Sequence, residues 1–194
     1  SLFFFEQPNF TKGILSLKFD QIYHEHISYL TVKNIQSLLK YSGFKINNLS
    51  KNEYHGGSLR TIAVNSDATF KKFDTKKLIE YENKNKIYTI NFYRKIMKNI
   101  IKKKIILIDK LIKYTKSGYT LCGIGAGAKS NTFLTFYGLN NNLIKFLTDS
   151  SKFKQNKYTP LTRIVIKSDD EIAKYKKIVC LILSWNIGDI VIKK

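Results

Sequence analysis

A short apolar strand that runs straight into a glycine-rich turn and then a helix leaves a chain few ways to fold, and residues 119–137 are built in this way. Tyr119 to Ile124 is apolar, GIGAGAKSNT overlaps its end, and Thr132 to Tyr137 has helical character. Leu143 to Thr148 supplies the next strand. Strand, glycine loop, helix and strand form a βαβ unit, whose strands lie parallel and need a crossover of this length. Ile178 to Leu183 reads as a further parallel strand, so residues 118–194 are expected to form a small Rossmann-like domain.

Upstream, Ile90, Tyr93, Met97, Ile101, Ile105, Ile108 and Ile112 recur at steps of three or four. That spacing predicts a long helix within Lys76 to Lys116, broken at most once and stopped by Gly118. Of the net charge of +20, +11 falls between Lys71 and Lys116, where 15 Lys and Arg face 4 Asp and Glu. A lysine-rich solvated helix face accounts for this excess, and no nucleic-acid partner is expected.

Nearer the start, Leu2 to Phe5 has the pattern of a buried strand leaving the sheet at Glu6-Gln7-Pro8. A buried strand needs neighbours on both sides, so the chain is expected to begin in the middle of a domain. Thr31 is a fitting N-cap for a helix with Val32, Ile35, Leu38 and Leu39 on one face, ended by Gly43. Residues 44–49 and 58–64 read as an antiparallel pair joined by the polar turn 50–53, completing the sheet begun by Leu2 to Phe5. The fold class is therefore α/β, in three parts: a sheet-forming region over 1–70, a helical connection over 71–117 and the βαβ domain over 118–194.

The 194 residues, 43% of them hydrophobic, suffice for a substantial core. Cys122 and Cys180 each sit in an apolar run, as buried strand thiols do, with no CxxC and no expected metal site. Apolar runs are too short to cross a bilayer and no signal pattern is present, so a cytoplasmic protein with no membrane partner is expected.

Four stretches could carry chemistry. In FDQIYHEHISY, His24 and His26 flank Glu25 beside Tyr23, a cluster able to move a proton, although HxH spacing alone fits a metal site or surface histidines better. In HGGSLR, His55 and Arg60 flank two glycines that either admit a ligand or form a bulge. The glycine loop carries Lys129 and Asn131, and Asp149 ends the following strand; this is a loose dinucleotide pattern, compatible with NAD. Lys154 and Gln155 in SKFKQNKYTP, and Asn186 beside Trp185, follow later strands, where open α/β sheets place ligands.

FDQIYHEH, HGGSLR and GIGAGAKSNT, in this order, resemble the sugar C-methyltransferases, which move a methyl group from S-adenosylmethionine to a ring carbon of a nucleotide-linked keto-sugar. The resemblance runs nearly end to end, over the later part of such an enzyme. It implies that residues 1–70 end the methyltransferase domain, with the S-adenosylmethionine site upstream and absent from this chain. It makes His26 the general base, Glu25 its orienting or alternative base, and Tyr23 a donor near the enolate, while His24 receives no role. It places His55, Arg60, Lys129, Asn131, Asp149, Lys154, Gln155 and Asn186 around the sugar nucleotide. The zinc-binding cysteine cluster that opens many such enzymes has no counterpart here. A fragment lacking the donor site is expected to be inactive without the missing N-terminal domain or a separate partner. A nucleotide-sugar-binding module without turnover and an NAD-binding oxidoreductase domain are the alternatives.

Overall fold

The computed structural model describes residues 1–53 and 56–193, which fall into two units. Ser1–Lys18 and His26–Lys98 form one, and Phe19–Glu25 with Asn99–Lys194 the other. The architecture is mixed α/β, with one antiparallel and one parallel sheet.

In the first unit, β1 (Leu2–Pro8) pairs with β3 (Ser58–Asn65), which also pairs with β2 (Phe44–Asn52), all antiparallel, in the order β1-β3-β2. The sheet is the one read from the sequence, with three differences. First, within this chain β1 pairs on one side only, with β3, and Leu2, Phe3 and Phe4 are 68%, 49% and 54% exposed. Second, β1 does not leave at Glu6, because Glu6, Gln7 and Pro8 continue the ladder opposite Arg60, Leu59 and Ser58. Third, β2 continues through the expected turn, since Ser50, Lys51 and Asn52 pair with the same three residues on the other side.

Between β1 and β2 lie the one-and-a-half-turn α1 (Phe10–Leu15) and α2 (Val32–Tyr41). Thr31 caps α2 by accepting the Asn34 N–H, as its position predicts, and Val32, Ile35 and Leu39 turn inward onto Ile46, Leu49, Leu59 and Ala63. Leu38, expected on the same face, is 52% exposed. Its step of three from Ile35 carries it to the margin of the buried stripe, and Leu39 takes the inward position.

The expected long helix is broken once, into α3 (Lys76–Lys84) and α4 (Ile90–Lys116). The break holds Lys86 at φ +57°, and the Lys86 and Ile87 N–H groups close on Asn83 and Glu82 carbonyls. α2 and α4 are each followed by a glycine of positive φ, Gly43 and Gly118.

In the second unit, β4 (Thr120–Ile124), β5 (Phe146–Thr148), β6 (Ile166–Lys167) and β7 (Ile178–Ile182) form a wholly parallel sheet in the order β6-β5-β4-β7. α5 (Ala128–Tyr137) connects β4 to β5. β5 is shorter than expected because the N–H groups of Leu143 and Ile144 are spent on the turn carbonyl of Asn140. β6 is too short to leave a period in the sequence. Leu134, Leu139, Ile144, Leu147, Ile164 and Leu183 fill the core, and α6 (Gly188–Ile192) closes the described chain. Cys122 and Cys180 face each other in register on β4 and β7, with sulfurs 3.3 Å apart. Burial and the bond to Cys180 push the Cys122 thiol well above its ordinary range.

Candidate functional site

The carboxyl ends of β4 and β5 bring the glycine loop, Asp149, Lys154 and Gln155 into one cluster. Asp149 Oδ2 accepts the Ala126 N–H at 2.9 Å and the Lys154 ammonium at 3.0 Å; Oδ1 accepts the Ser151 N–H at 3.0 Å. Gln155 Nε2 donates to the Asp149 carbonyl at 3.0 Å. Burial opposes ionisation of Asp149, but the two N–H groups and the Lys154 charge outweigh it and hold its carboxyl below the usual range.

This cluster changes what the glycine loop can do. An anion cradle at a helix start depends on open amides. Here Gly125 N–H donates to the Thr148 carbonyl at 2.7 Å, Ala126 to Asp149, and Gly127 to Ser130 Oγ at 3.3 Å. Three loop amides are thus already used within the protein. Gly125 has φ +96°, and a Cβ there would lie 1.9 Å from Ser184 Oγ, so the loop turns directly against Ser184, two residues past the end of β7. Asn131 Oδ1, by contrast, is buried with no hydrogen-bond partner among the described residues, one turn into α5. Lys129 Nζ lies 5.6 Å from the Trp185 ring centre, within cation–π range.

Beside the cluster is a cavity of about 440 Å³, walled by Ile124, Gly125, Thr148 and Asp149 at the strand ends, and by Asp169, Ile172, Cys180, Ser184 and Ile190. Its size and its place at the carboxyl edge of a parallel sheet are those of a small-molecule site. Asp169, Ile172 and Ile190 were not singled out in the sequence; their only signal is position after a strand.

Asp20 was also missed as an anchor. It is 4% exposed, on the short 3-10 helix Phe19–Gln21, and its carboxylate accepts the indole N–H of Trp185. Phe19 beside it packs on α5, with ring centres 4.6 Å from Phe136, 5.9 Å from Tyr137 and 6.0 Å from Phe133. The signal was Trp185 itself, since a half-buried indole N–H needs an acceptor. Asn186, next along, is exposed.

Tyr23, His24 and Glu25 follow in a turn. Tyr23 is half-buried with its ring 6.0 Å from that of His24, and Glu25 Oε1 lies 3.9 Å from His24 Nε2 on an exposed surface. His26 is half-buried and begins the other unit.

In that unit Arg60 is exposed on β3, and its Nε donates to Glu6 Oε2 at 2.9 Å, while Ser58 donates to Oε1. These bonds, with the Arg60 charge, hold the Glu6 carboxyl below its ordinary range. Gly57, at φ +118°, leaves room for Lys12, whose Cδ would stand 2.8 Å from a Cβ at that position. The close approach expected of this glycine is therefore made by a side chain of the same protein. His55 lies outside the described residues.

Residues 53–194 match the model of the C-methyltransferase C-terminal domain family. The chain is also 27% identical, over 186 residues and 95% of its length, to the C-methyltransferase NovU of Streptomyces niveus. It spans 44% of the length of that relative. Among the described residues, no helix is long and apolar enough to cross a membrane.

Proposed function

The chain belongs to the C-methyltransferase C-terminal domain family, and on that footing we propose that it forms the C-terminal part of an S-adenosylmethionine-dependent enzyme that methylates a ring carbon of a nucleotide-linked keto-sugar. One observation carries this: the match to a C-methyltransferase covers 95% of the chain, and so includes the histidine stretch as well as the glycine loop.

Methylation beside a ketone requires removal of the proton alpha to the carbonyl. His26 takes that proton, Tyr23 donates to the enolate oxygen that develops, and Glu25 orients the base or substitutes for it. The sugar nucleotide is held by side chains, not by loop amides: Lys129, Asn131 through its buried Oδ1, Lys154, Gln155 and Asn186, with His55 and Arg60 as further candidate contacts. Asp149 serves by holding Lys154 and the loop in place.

S-adenosylmethionine supplies the methyl group in this chemistry. The glycine loop does not fit it, because Asp149, the residue placed to accept ribose hydroxyls, already takes three donors from its own surroundings. The donor site therefore belongs to a segment preceding this domain, and the protein works in the cytoplasm with that segment in the same chain or on a partner.

Calorimetric titration with thymidine diphosphate, uridine diphosphate and NAD tests the assignment. At least one pyrimidine diphosphate is expected to bind more tightly than NAD, and Lys129→Ala to weaken it several-fold. Tighter binding of NAD, or an affinity indifferent to Lys129, would contradict it.

A further inference from the structure

We propose that Cys122 and Cys180 form a redox modification site, a dithiol that a peroxide converts to a disulfide within the second unit. Neither residue has a part in the methyl transfer proposed above.

The two cysteines are register partners on β4 and β7, which run parallel, so both side chains leave the same face of the sheet at adjacent positions. Strands paired in this way hold such Cα atoms about 4.8 Å apart, inside the window of about 4.4–6.8 Å that a disulfide spans. The sulfurs already touch at 3.3 Å. Closing them to bond length takes roughly 1.3 Å, a distance that side-chain rotation covers.

The two thiols differ in access. β4 lies between β5 and β7, and Cys122 on it is 0% exposed. Cys180 is half-buried and belongs to the wall of the 440 Å³ cavity, so a small oxidant entering there meets Cys180 first. Burial, then the bond to Cys180, keeps the Cys122 thiol protonated, which suits it to the second step and not to the first. A cysteine buried by itself is inert packing, whereas one in contact with an open partner is placed to resolve that partner's oxidation.

Cys180 Sγ attacks one peroxide oxygen: an S–O bond forms, the O–O bond breaks, and the other oxygen leaves as water with the thiol proton. Cys122 Sγ then attacks the Cys180 sulfur. The S–S bond forms, the S–O bond breaks, and the hydroxyl departs as a second water with the proton that Cys122 already directs at Cys180. Each sulfur gives up one electron, and the peroxide takes both. Glutathione returns the pair to thiols, so in a reducing compartment the bond is transient.

The test adds hydrogen peroxide to the native chain, with and without dimedone, and follows thiol content and peptide mass. Wild type is expected to lose both thiols together, to yield a Cys122–Cys180 linked peptide within one chain, and to regain both thiols with dithiothreitol. Cys122→Ser should stop at a Cys180 sulfenic acid, trapped as its dimedone adduct, and Cys180→Ser should leave Cys122 reduced. Should either variant lose its native circular dichroism, the wild-type mapping decides alone. Thiols that react only after unfolding in guanidinium, or a disulfide that joins two chains, would overturn the pair. A dimedone adduct on Cys122 in Cys180→Ser would overturn the order of attack.

Discussion

Trp185 donates its indole N–H to the carboxylate of Asp20, joining positions 165 residues apart in one hydrogen bond within the second unit. The bond ties the residue pair that opens the Tyr23 stretch to the turn that follows β7. Asp20→Ala removes this carboxylate acceptor from the half-buried indole N–H and should cost about 1–3 kcal/mol. Urea denaturation of Asp20→Ala, Trp185→Phe and the double variant would show it. The double variant is expected to be no worse than the sum of the two, with a coupling that vanishes if the bond contributes nothing.

Gly125 is the position where backbone conformation and space coincide most tightly. A side chain there meets Ser184 Oγ and also has to adopt φ +96°. Gly125→Ala should lose at least about 2 kcal/mol. Ser184→Gly in the same background should recover the steric part and leave the conformational part. Equal stability of Gly125→Ala and wild type in thermal denaturation would contradict the packing described.

Tyr88 gives the first unit an alkaline limit. Burial, then its hydrogen bond to the Glu82 carboxylate, push the phenol up to about 12. The unfolded chain releases this proton near the ordinary tyrosine value of about 10, so above that pH the folded state binds more protons than the unfolded one. The contribution of Tyr88 is therefore complete below about pH 10 and lost as the pH climbs toward about 12. Tyr88→Phe should flatten the fall in stability over that window, measured by urea unfolding at a series of pH values.

Glu82 holds the same region together. Although 1% exposed, it accepts hydrogen bonds from Thr11 Oγ1, the backbone N–H groups of Val32 and Lys33, and Tyr88. Glu82→Gln replaces one acceptor oxygen with a donor facing other donors, and should destabilise by about 2 kcal/mol or more. Equal urea midpoints for the variant and wild type would count against this network.

What the sequence disclosed was largely local. Thr31, Gly43 and Gly118 mark helix ends because capping and positive φ are properties of a few adjacent residues, and the antiparallel pairing of β2 and β3 follows from their strand-like patterns. The exposure of Phe3 and Phe4 within this chain was hidden, because an apolar run has the same letters with one paired neighbour as with two. The glycine loop was found by its spacing, but its closed amides were not, since they depend on where the Asp149 carboxylate and Ser130 hydroxyl turn in three dimensions. Asp20 and Trp185 show the same limit: each carries a motif locally, and only the fold makes them a pair.

The general base is the centre of the functional account, and solvent deuterium exchange at the sugar carbon beside the ketone reports on it without needing methyl transfer to finish. In a full-length C-methyltransferase carrying this chain as its C-terminal part, His26→Asn should slow both exchange and methylation by about a hundred-fold to ten-thousand-fold. His24→Asn should leave both close to wild type, and Glu25→Gln should fall between, as a residue that holds the imidazole in its working tautomer would. Wild-type exchange in His26→Asn, or a greater loss in His24→Asn, would contradict the assignment of His26 as the base.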